Sequence, residues 1–412
     1  MSSSPRFPRR RTLLKLGAAA LTTAAATPVT GVKAPAGRAA LPVVLPAPTG
    51  HRPVGAVDLH LVDRSRPDPF VPSKPFRELM VSVRYPAEPD RTGAFPVAPW
   101  LGPAAAADWD ERSAPGLGIP AGAVDWRGMR THARTGAPAD RSGGRLPVVL
   151  FSPGDGGGRA LGTALVEELA SRDYVVVSVD SPYEADQVEF PGGRVERAVP
   201  LPDDLTPEVI AALLEQHARV RLADARFVLD RIGALAREQN PDAGGGPLPA
   251  GLPAVLDPSR TGVLGQSLGG SVAARLARDE HRVRAAVNLD GEFIGPIALS
   301  GVAKPFLLLM SEGDSVEGNP GWASFWAAST GWRRALRLRD AQHGSYTDLQ
   351  VVLPQLAGHL ELPAAVELIG TIDPLRSLAA QRAAVTAFFD RCLKGRPTSF
   401  FEDPGGRFPE WS

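Results

Sequence analysis

Gly265-Gln266-Ser267-Leu268-Gly269 sets a serine between glycines that stand two positions to either side. A serine hydroxyl is a poor nucleophile until a histidine takes its proton and a carboxylate holds that histidine in place. Both partners are expected later in the chain. His343, in Asp340-Ala341-Gln342-His343-Gly344, follows a short apolar stretch and is the expected base. His359 sits in a Leu-rich stretch where a packed or a surface histidine is expected, and His281 directly follows a helical pattern where water would reach it. Two aspartates compete for the acid: Asp290 closes the apolar run 283–289, and Asp314 follows the run 305–310. The chemistry this set serves is attack on an acyl carbonyl, with an acyl-enzyme that water then releases. Such a reaction needs main-chain N–H donors for the oxyanion. Leu268 supplies one, and Asp155, in Phe151-Ser152-Pro153-Gly154-Asp155-Gly156, is placed to supply the other.

These groups meet only if the elements between them fold in a set order. Residues 146–152 (LPVVLFS), 174–179 (YVVVSV), 261–265, 283–289 and 305–310 (PFLLLM) read as buried strands. A weaker strand at 335–338 is interrupted by Arg337. Helical patterns fall between them at 160–172, 267–279 and 373–393. A long helix begins at Thr206-Pro207, a capping residue before a first-turn proline, and carries Ile210, Leu214, Val220, Val228, Ile232 and Leu235 at roughly helical spacing. Residues 56–62 and 78–85 alternate with period two and predict an antiparallel pair. Strand and helix in alternation predict a single α/β domain over 41–395, its mostly parallel central sheet covered by helices on both faces. A nucleophile on a tight strand-to-helix turn makes it an α/β-hydrolase fold. Residues 86–145 read as an irregular excursion and 396–412 as an irregular tail.

Composition narrows the function. Forty-five basic residues balance forty-five acidic ones, which gives no electrostatic case for nucleic acid or an anionic membrane surface. Cys392 is the one cysteine, so the chain has no intrachain disulfide and no cysteine-based metal cluster; it is expected to be a buried, inert thiol. The seven histidines show no H-E-x-x-H spacing. The glycines at 154–158 lack a following Gly-Lys-Ser/Thr, and Arg159 stands where a dinucleotide loop needs its third glycine. No metal or organic cofactor is expected. Residues 1–40 have the layout of a removed export signal: Arg6, Arg9, Arg10 and Arg11, then an Ala-rich apolar run, then small residues. Arg10-Arg11-Thr12-Leu13-Leu14-Lys15 is similar to a twin-arginine signal, with cleavage expected after Ala26, Ala36 or Ala40. No later apolar run reaches 18 residues, so an exported enzyme without a membrane span is expected.

From about residue 50 to 395 the chain resembles the plasma-type platelet-activating-factor acetylhydrolase family and its bacterial secreted lipase and esterase relatives. The segments that carry the likeness are 79–86 (LMVSVRYP), 146–156 (LPVVLFSPGDG), 262–270 (GVLGQSLGG), 286–291 (AVNLDG), 342–348 (QHGSYTD) and the closing 369–395, from IGTIDP to AFFDRCLKG. Many relatives have histidine where Pro153 stands, and some have phenylalanine in place of Leu268; neither change removes a main-chain donor. Fold position alone favours Asp314 as the acid, whereas the resemblance implies Asp290, at the end of the strand after the nucleophile helix. The resemblance also implies lipid or short-chain ester substrates, including phospholipids, and transient contact with a lipid surface.

The resulting expectation is a secreted serine ester hydrolase with Ser267, His343 and Asp290 as its triad. A polyester hydrolase or an extracellular acyltransferase would use the same triad, and product analysis with a competing alcohol separates transfer from hydrolysis. A catalytically silent exported binding protein is the rival of another class, and the intact serine, histidine and acid candidates argue against it.

Overall fold

A computed structural model describes residues 39–412. The export signal expected at 1–40 therefore lies, but for its last two residues, outside the described residues. Ten strands form one sheet: β1 (Val54–Asp63), β2 (Arg77–Pro86), β3 (Val97–Pro99), β4 (Arg130–Thr135), β5 (Leu146–Ser152), β6 (Val175–Val179), β9 (Leu256–Gln266), β10 (Val283–Leu289), β11 (Phe306–Met310) and β12 (Arg333–Arg337). Their order is β12-β11-β10-β9-β5-β6-β2-β1-β4-β3. Strands β7 (Gln187–Phe190) and β8 (Arg194–Arg197) form a separate hairpin. Strands β5, β6 and β9 to β12 run parallel, and β1 and β2 are the antiparallel pair expected at 56–62 and 78–85. The helices of eight residues or more among the described residues are α1 (Thr163–Ala170), α2 (Pro207–Leu235), α3 (Leu268–Asp279), α4 (Pro320–Ala328), α5 (Leu349–Ala357) and α6 (Pro374–Lys394).

The period-two alternation of each central strand sorts its side chains into two cores. Val148, Leu150, Val175, Val177, Val263, Ala286 and Leu308 face α2 and α3, where they meet Leu214, Val228, Ile232, Val272 and Leu276. The intervening Val149, Phe151, Val176, Leu264, Val287 and Leu309 face α1 and α6, against Leu165, Leu169, Val385, Phe388 and Phe389. Burial on both faces is why these strands read as continuous apolar runs. Thr206 caps α2, its hydroxyl accepting from Val209 N–H at 3.3 Å, as the Thr-Pro start predicts. This is the α/β-hydrolase fold in a single domain.

Two regions expected to be irregular are built more firmly than their sequences suggest. Residues 86–145 contribute β3 and β4 to the sheet edge and gather Trp100, Trp109 and Trp126 into one cluster with ring centroids 5.6 to 5.9 Å apart. Strand β4 (RTHART) escapes sequence reading because its buried positions are Thr131 and Ala133 rather than large apolar residues. The tail after residue 395 returns to the sheet. Arg337 N–H donates to Ser412 O at 2.8 Å, Leu338 bridges to Trp411, and Phe401, Phe408 and Trp411 enter the core. It thereby pairs the backbone at the end of β12 and just beyond it, from Arg337 to Arg339. No helix of the described residues is long and apolar enough to cross a membrane.

Candidate active site

The sheet reverses its winding between β5 and β9: from β5 the chain goes outward to β6, then returns to place β9 and β10 on the other side. Ligands bind outside the carboxyl ends of strands at such a switch point. Ser267 follows the last residue of β9 there, with φ 54° and ψ −121°, a backbone state that a residue with a side chain rarely adopts. Its N–H donates to Leu289 O at 2.9 Å, which ties the turn to the end of β10. Leu268 opens α3 immediately after it. The flanking glycines permit the packing. A Cβ on Gly269 would stand 2.1 Å from Ser152 O, so only glycine lets α3 approach the end of β5 this closely. A Cβ on Gly154 would stand 3.2 Å from Ser267 Cβ, which puts the loop after β5 directly against the serine.

Asp290 follows β10, also at positive φ (54°), and is 3% exposed. Its Oδ2 accepts from His343 Nδ1 at 2.7 Å, and its Oδ1 accepts from Ser311 N–H at 2.8 Å. The carboxylate is thus aimed by the backbone of the neighbouring strand. His343 opens a short 3-10 turn, His343–Tyr346, whose capping residue Gln342 is held by Ser345. Ser345 Oγ donates to Ile369 O and Tyr346 Oη to Met310 O, anchoring the loop at both ends. Burial, with the charges of Asp290 and Asp314, pushes the Tyr346 hydroxyl well above its usual range, so it remains a neutral donor. His343 Nε2 accepts from Gln266 Nε2 at 3.3 Å. That fixes Nε2 as the acceptor nitrogen and leaves the proton on Nδ1, pointing at Asp290.

The structure brings His343 together with Asp290; Asp314 lies after β11, its N–H donating to Ser311 O at 3.3 Å. Among the described residues the hydrogen-bond partner of His343 Nε2 is Gln266, not Ser267. Catalytic contacts are often long or misaligned in an enzyme without substrate. His281 is 92% exposed on its side chain, and His359 is exposed. Cys392 is half-buried, and burial pushes its thiol up to about 11, which makes it a poor nucleophile.

The loop carrying Asp155 is held from α2 by residues that no local motif announces. Arg221 is 2% exposed and donates from Nη1 to Pro153 O and from Nη2 to Gly154 O, the latter at 2.8 Å. Its Nε donates to Glu184 Oε2 at 2.9 Å. One turn earlier on α2, His217 Nδ1 donates to Asp155 Oδ1 at 2.7 Å. Burial disfavours the His217 cation, but the Asp155 hydrogen bond and the Glu184 charge outweigh it and raise its pKa. Burial pushes the Glu184 carboxyl up to about 7 even beside Arg221. Asp155, Glu184 and His217 have ligand atoms within 4.8 Å of one another, yet the Arg221 guanidinium and the His217–Asp155 bond already occupy those atoms. The set reads as a closed ion-pair network rather than a metal centre.

A cavity of about 100 Å³ opens beside Gln266, His343, Gly154 and Asp155. Trp109 and Leu117, from the 86–145 excursion, form its wall with Leu161 and Leu368, and among the described residues Asp186 and Asp155 are the carboxylates that line it. A second cavity of about 550 Å³ shares Trp109 and Leu161 with it and is lined by Asp58, Arg84, Arg159 and Asp180. The excursion therefore walls the cavity beside Gln266 and His343, a role its sequence does not disclose.

No family model matches the chain. A ferulic acid esterase from Streptomyces cinnamoneus is 37% identical in sequence and superposes with a TM-score of 0.72, over 90% of this chain and 98% of that one. A probable 1-alkyl-2-acetylglycerophosphocholine esterase of Arthroderma benhamiae is 27% identical over 396 residues, 89% of this chain and 92% of the relative. The sheet order, the serine turn after β9 and these two esterases agree: the chain is a carboxylic ester hydrolase and belongs to the platelet-activating-factor acetylhydrolase-like esterase family of the α/β-hydrolase fold.

Proposed function

We propose that the protein is an exported serine esterase that cleaves short-chain or lipid esters through an acyl-enzyme on Ser267. The observation that carries this reading is the His343–Asp290 hydrogen bond of 2.7 Å at the end of β10, beside a serine held at positive φ after β9. In the reaction His343 Nε2 takes the Ser267 hydroxyl proton as Oγ attacks the ester carbonyl. The Leu268 and Asp155 N–H groups hold the developing oxyanion, and Asp290 steadies the imidazolium. The C–O bond to the alcohol then breaks, and His343 returns the proton to the departing oxygen. Water, deprotonated by His343, attacks the acyl-enzyme and frees the acid and Ser267.

The size of the inner cavity supports a short acyl group. At about 100 Å³ it is smaller than the ~150 Å³ cavity that holds one benzene, and too small for a long alkyl chain. An aromatic acyl group, the reading that the Streptomyces relative's name favours, is larger than this cavity and would have to extend past Trp109 and Leu161 into the adjoining cavity of about 550 Å³. For lipid esters, Val366, 58% exposed on the same short helix as the lining residue Leu368, is a point of contact for a lipid surface. Export rests on Arg10-Arg11-Thr12-Leu13-Leu14-Lys15 and the apolar run after it. Replacing both arginines by lysine should keep the protein inside the producing cell, and unchanged export would refute the twin-arginine route.

The deciding experiment compares hydrolysis of nitrophenyl acetate, butyrate, palmitate and ferulate by the wild-type protein and by Ser267→Ala. Turnover confined to acetate, butyrate or ferulate, and abolished in the variant, is the expected result. Equal turnover by a folded Ser267→Ala variant would overturn the nucleophile assignment.

A further inference from the structure

Strand β5 ends at Ser152, and the loop beyond it is closed locally by a turn in which Gly157 N–H donates to Gly154 O at 3.1 Å. Residues 153–156 also have to hold one N–H in a single direction beside Ser267. The peptide group is planar and trans, so the C=O of Gly154 and the N–H of Asp155 point to opposite sides of the same plane. Whatever fixes that carbonyl fixes that N–H. Arg221 Nη2 donates to Gly154 O at 2.8 Å, and Nη1 donates to the preceding carbonyl, Pro153 O. The guanidinium's planar fork thus sets two successive peptide planes at once. Glu184 holds the fork from behind, through Nε at 2.9 Å and through Nη2. His217 pins the other end of the same residue by bonding Asp155 Oδ1 at 2.7 Å.

We infer that Arg221 and His217 are positioning residues for ester hydrolysis: from one face of α2 they clamp the 153–156 loop so that the Asp155 N–H points at the oxyanion. The inference rests on the proposed nucleophile and oxyanion donors and adds the device that aims one of them. Neither residue touches the reacting atoms. Without the clamp the Gly154–Asp155 peptide keeps the turn bond from Gly157 N–H but loses the fork that sets its plane, and a carbonyl tilted toward the oxyanion would repel the charge the N–H is meant to hold. A hole donor that is misaimed acts on the transition state and leaves ground-state binding nearly unchanged.

The test uses the mature protein with nitrophenyl acetate as substrate and an aryl trifluoromethyl ketone, which forms a tetrahedral oxyanion on the serine, as inhibitor. Arg221→Lys keeps the charge and loses the fork. It should lower kcat by about tenfold to a hundredfold, with KM nearly unchanged, and weaken ketone binding by the same factor. Hydrogen exchange in a peptide spanning residues 150–160 should quicken, a readout that does not depend on which residue is the nucleophile. His217→Ala should lower kcat in the same sense, and His217→Asn, whose amide nitrogen can take the place of Nδ1, should restore it. The proposal is overturned if folded Arg221→Lys retains wild-type kcat, if only KM rises, or if His217→Ala and His217→Asn behave alike. Should Arg221→Lys fail to fold, the His217 pair decides alone. Activity retained by Ser267→Ala would instead refute the nucleophile, and loop exchange in the Arg221 variant would still report whether the clamp exists.

Discussion

Replacing Asp290 by Asn changes one oxygen to an N–H₂ group and leaves the shape of the side chain alone. The two oxygens of Asp290 do different work: Oδ1 accepts from Ser311 N–H at 2.8 Å and Oδ2 from His343 Nδ1 at 2.7 Å. An amide has one acceptor to offer and has to give it to one of them. Toward Ser311, the oxygen keeps a buried backbone donor paired, and the N–H₂ then faces His343. His343 responds by carrying its proton on Nε2, where it can no longer take one from Ser267. Turning the amide around restores the productive tautomer but leaves Ser311 N–H against another donor, at a cost of about 1–3 kcal/mol. The lost carboxylate charge beside the imidazolium removes about 4 kcal/mol more, for a separation of ~4 Å and an effective dielectric of ~20. Together these come to roughly 5–7 kcal/mol, a fall in kcat of about 10⁴- to 10⁵-fold. The assay is steady-state hydrolysis of nitrophenyl acetate, with circular dichroism to show that the variant folds and Asp314→Asn alongside. A folded Asp290→Asn variant within about tenfold of wild type would refute the reasoning, and so would a larger loss in Asp314→Asn.

Two further predictions concern packing and protonation. Gly269→Ala places a methyl 2.1 Å from Ser152 O, a backbone atom that cannot turn aside, so stability should fall by about 1–3 kcal/mol or more, measured by urea unfolding; an unchanged midpoint would contradict the close approach. Asp186, in the cavity wall, has its carboxyl pushed up to about 7 by burial and by the charges of Asp108 and Asp155, against a hydrogen bond from Ser113 and the charge of Arg112. The native state therefore binds this proton more tightly than the unfolded chain, and the contribution is full below the ordinary value of 3.8 and lost as pH rises through about 7. Asp186→Asn mimics the protonated form, so its stability relative to wild type should increase between about pH 5 and about pH 8; a difference constant with pH would count against the buried carboxyl.

The parts of the site legible in the sequence are those whose geometry is local. The serine turn is written in five consecutive residues because strand, reversal and helix follow one another directly, and the period-two strands around it sort cleanly into two buried faces. The acid is harder to read. Asp290 and Asp314 both follow a parallel strand, so spacing alone cannot separate them, and the difference lies in which one the positive-φ turn and Ser311 N–H aim at His343. Gln266 was invisible for another reason: the motif leaves its position unspecified, yet its amide is what engages His343 Nε2 here. Least legible were the contacts made across long chain separations. Arg221 reaches Gly154 over 67 residues and His217 reaches Asp155 over 62, and in a helix read only for its apolar face both look like solvated positions. The Trp109 wall has the same origin, since a glycine- and proline-rich stretch shows no period, and its order comes from packing three tryptophans against one another. A sequence pattern records what each element must bury. The 153–156 loop, closed locally by the turn bond from Gly157 N–H to Gly154 O, is held as well by charged groups from a distant helix, and fully paired in a low-dielectric interior these can fix a backbone direction that no local propensity specifies.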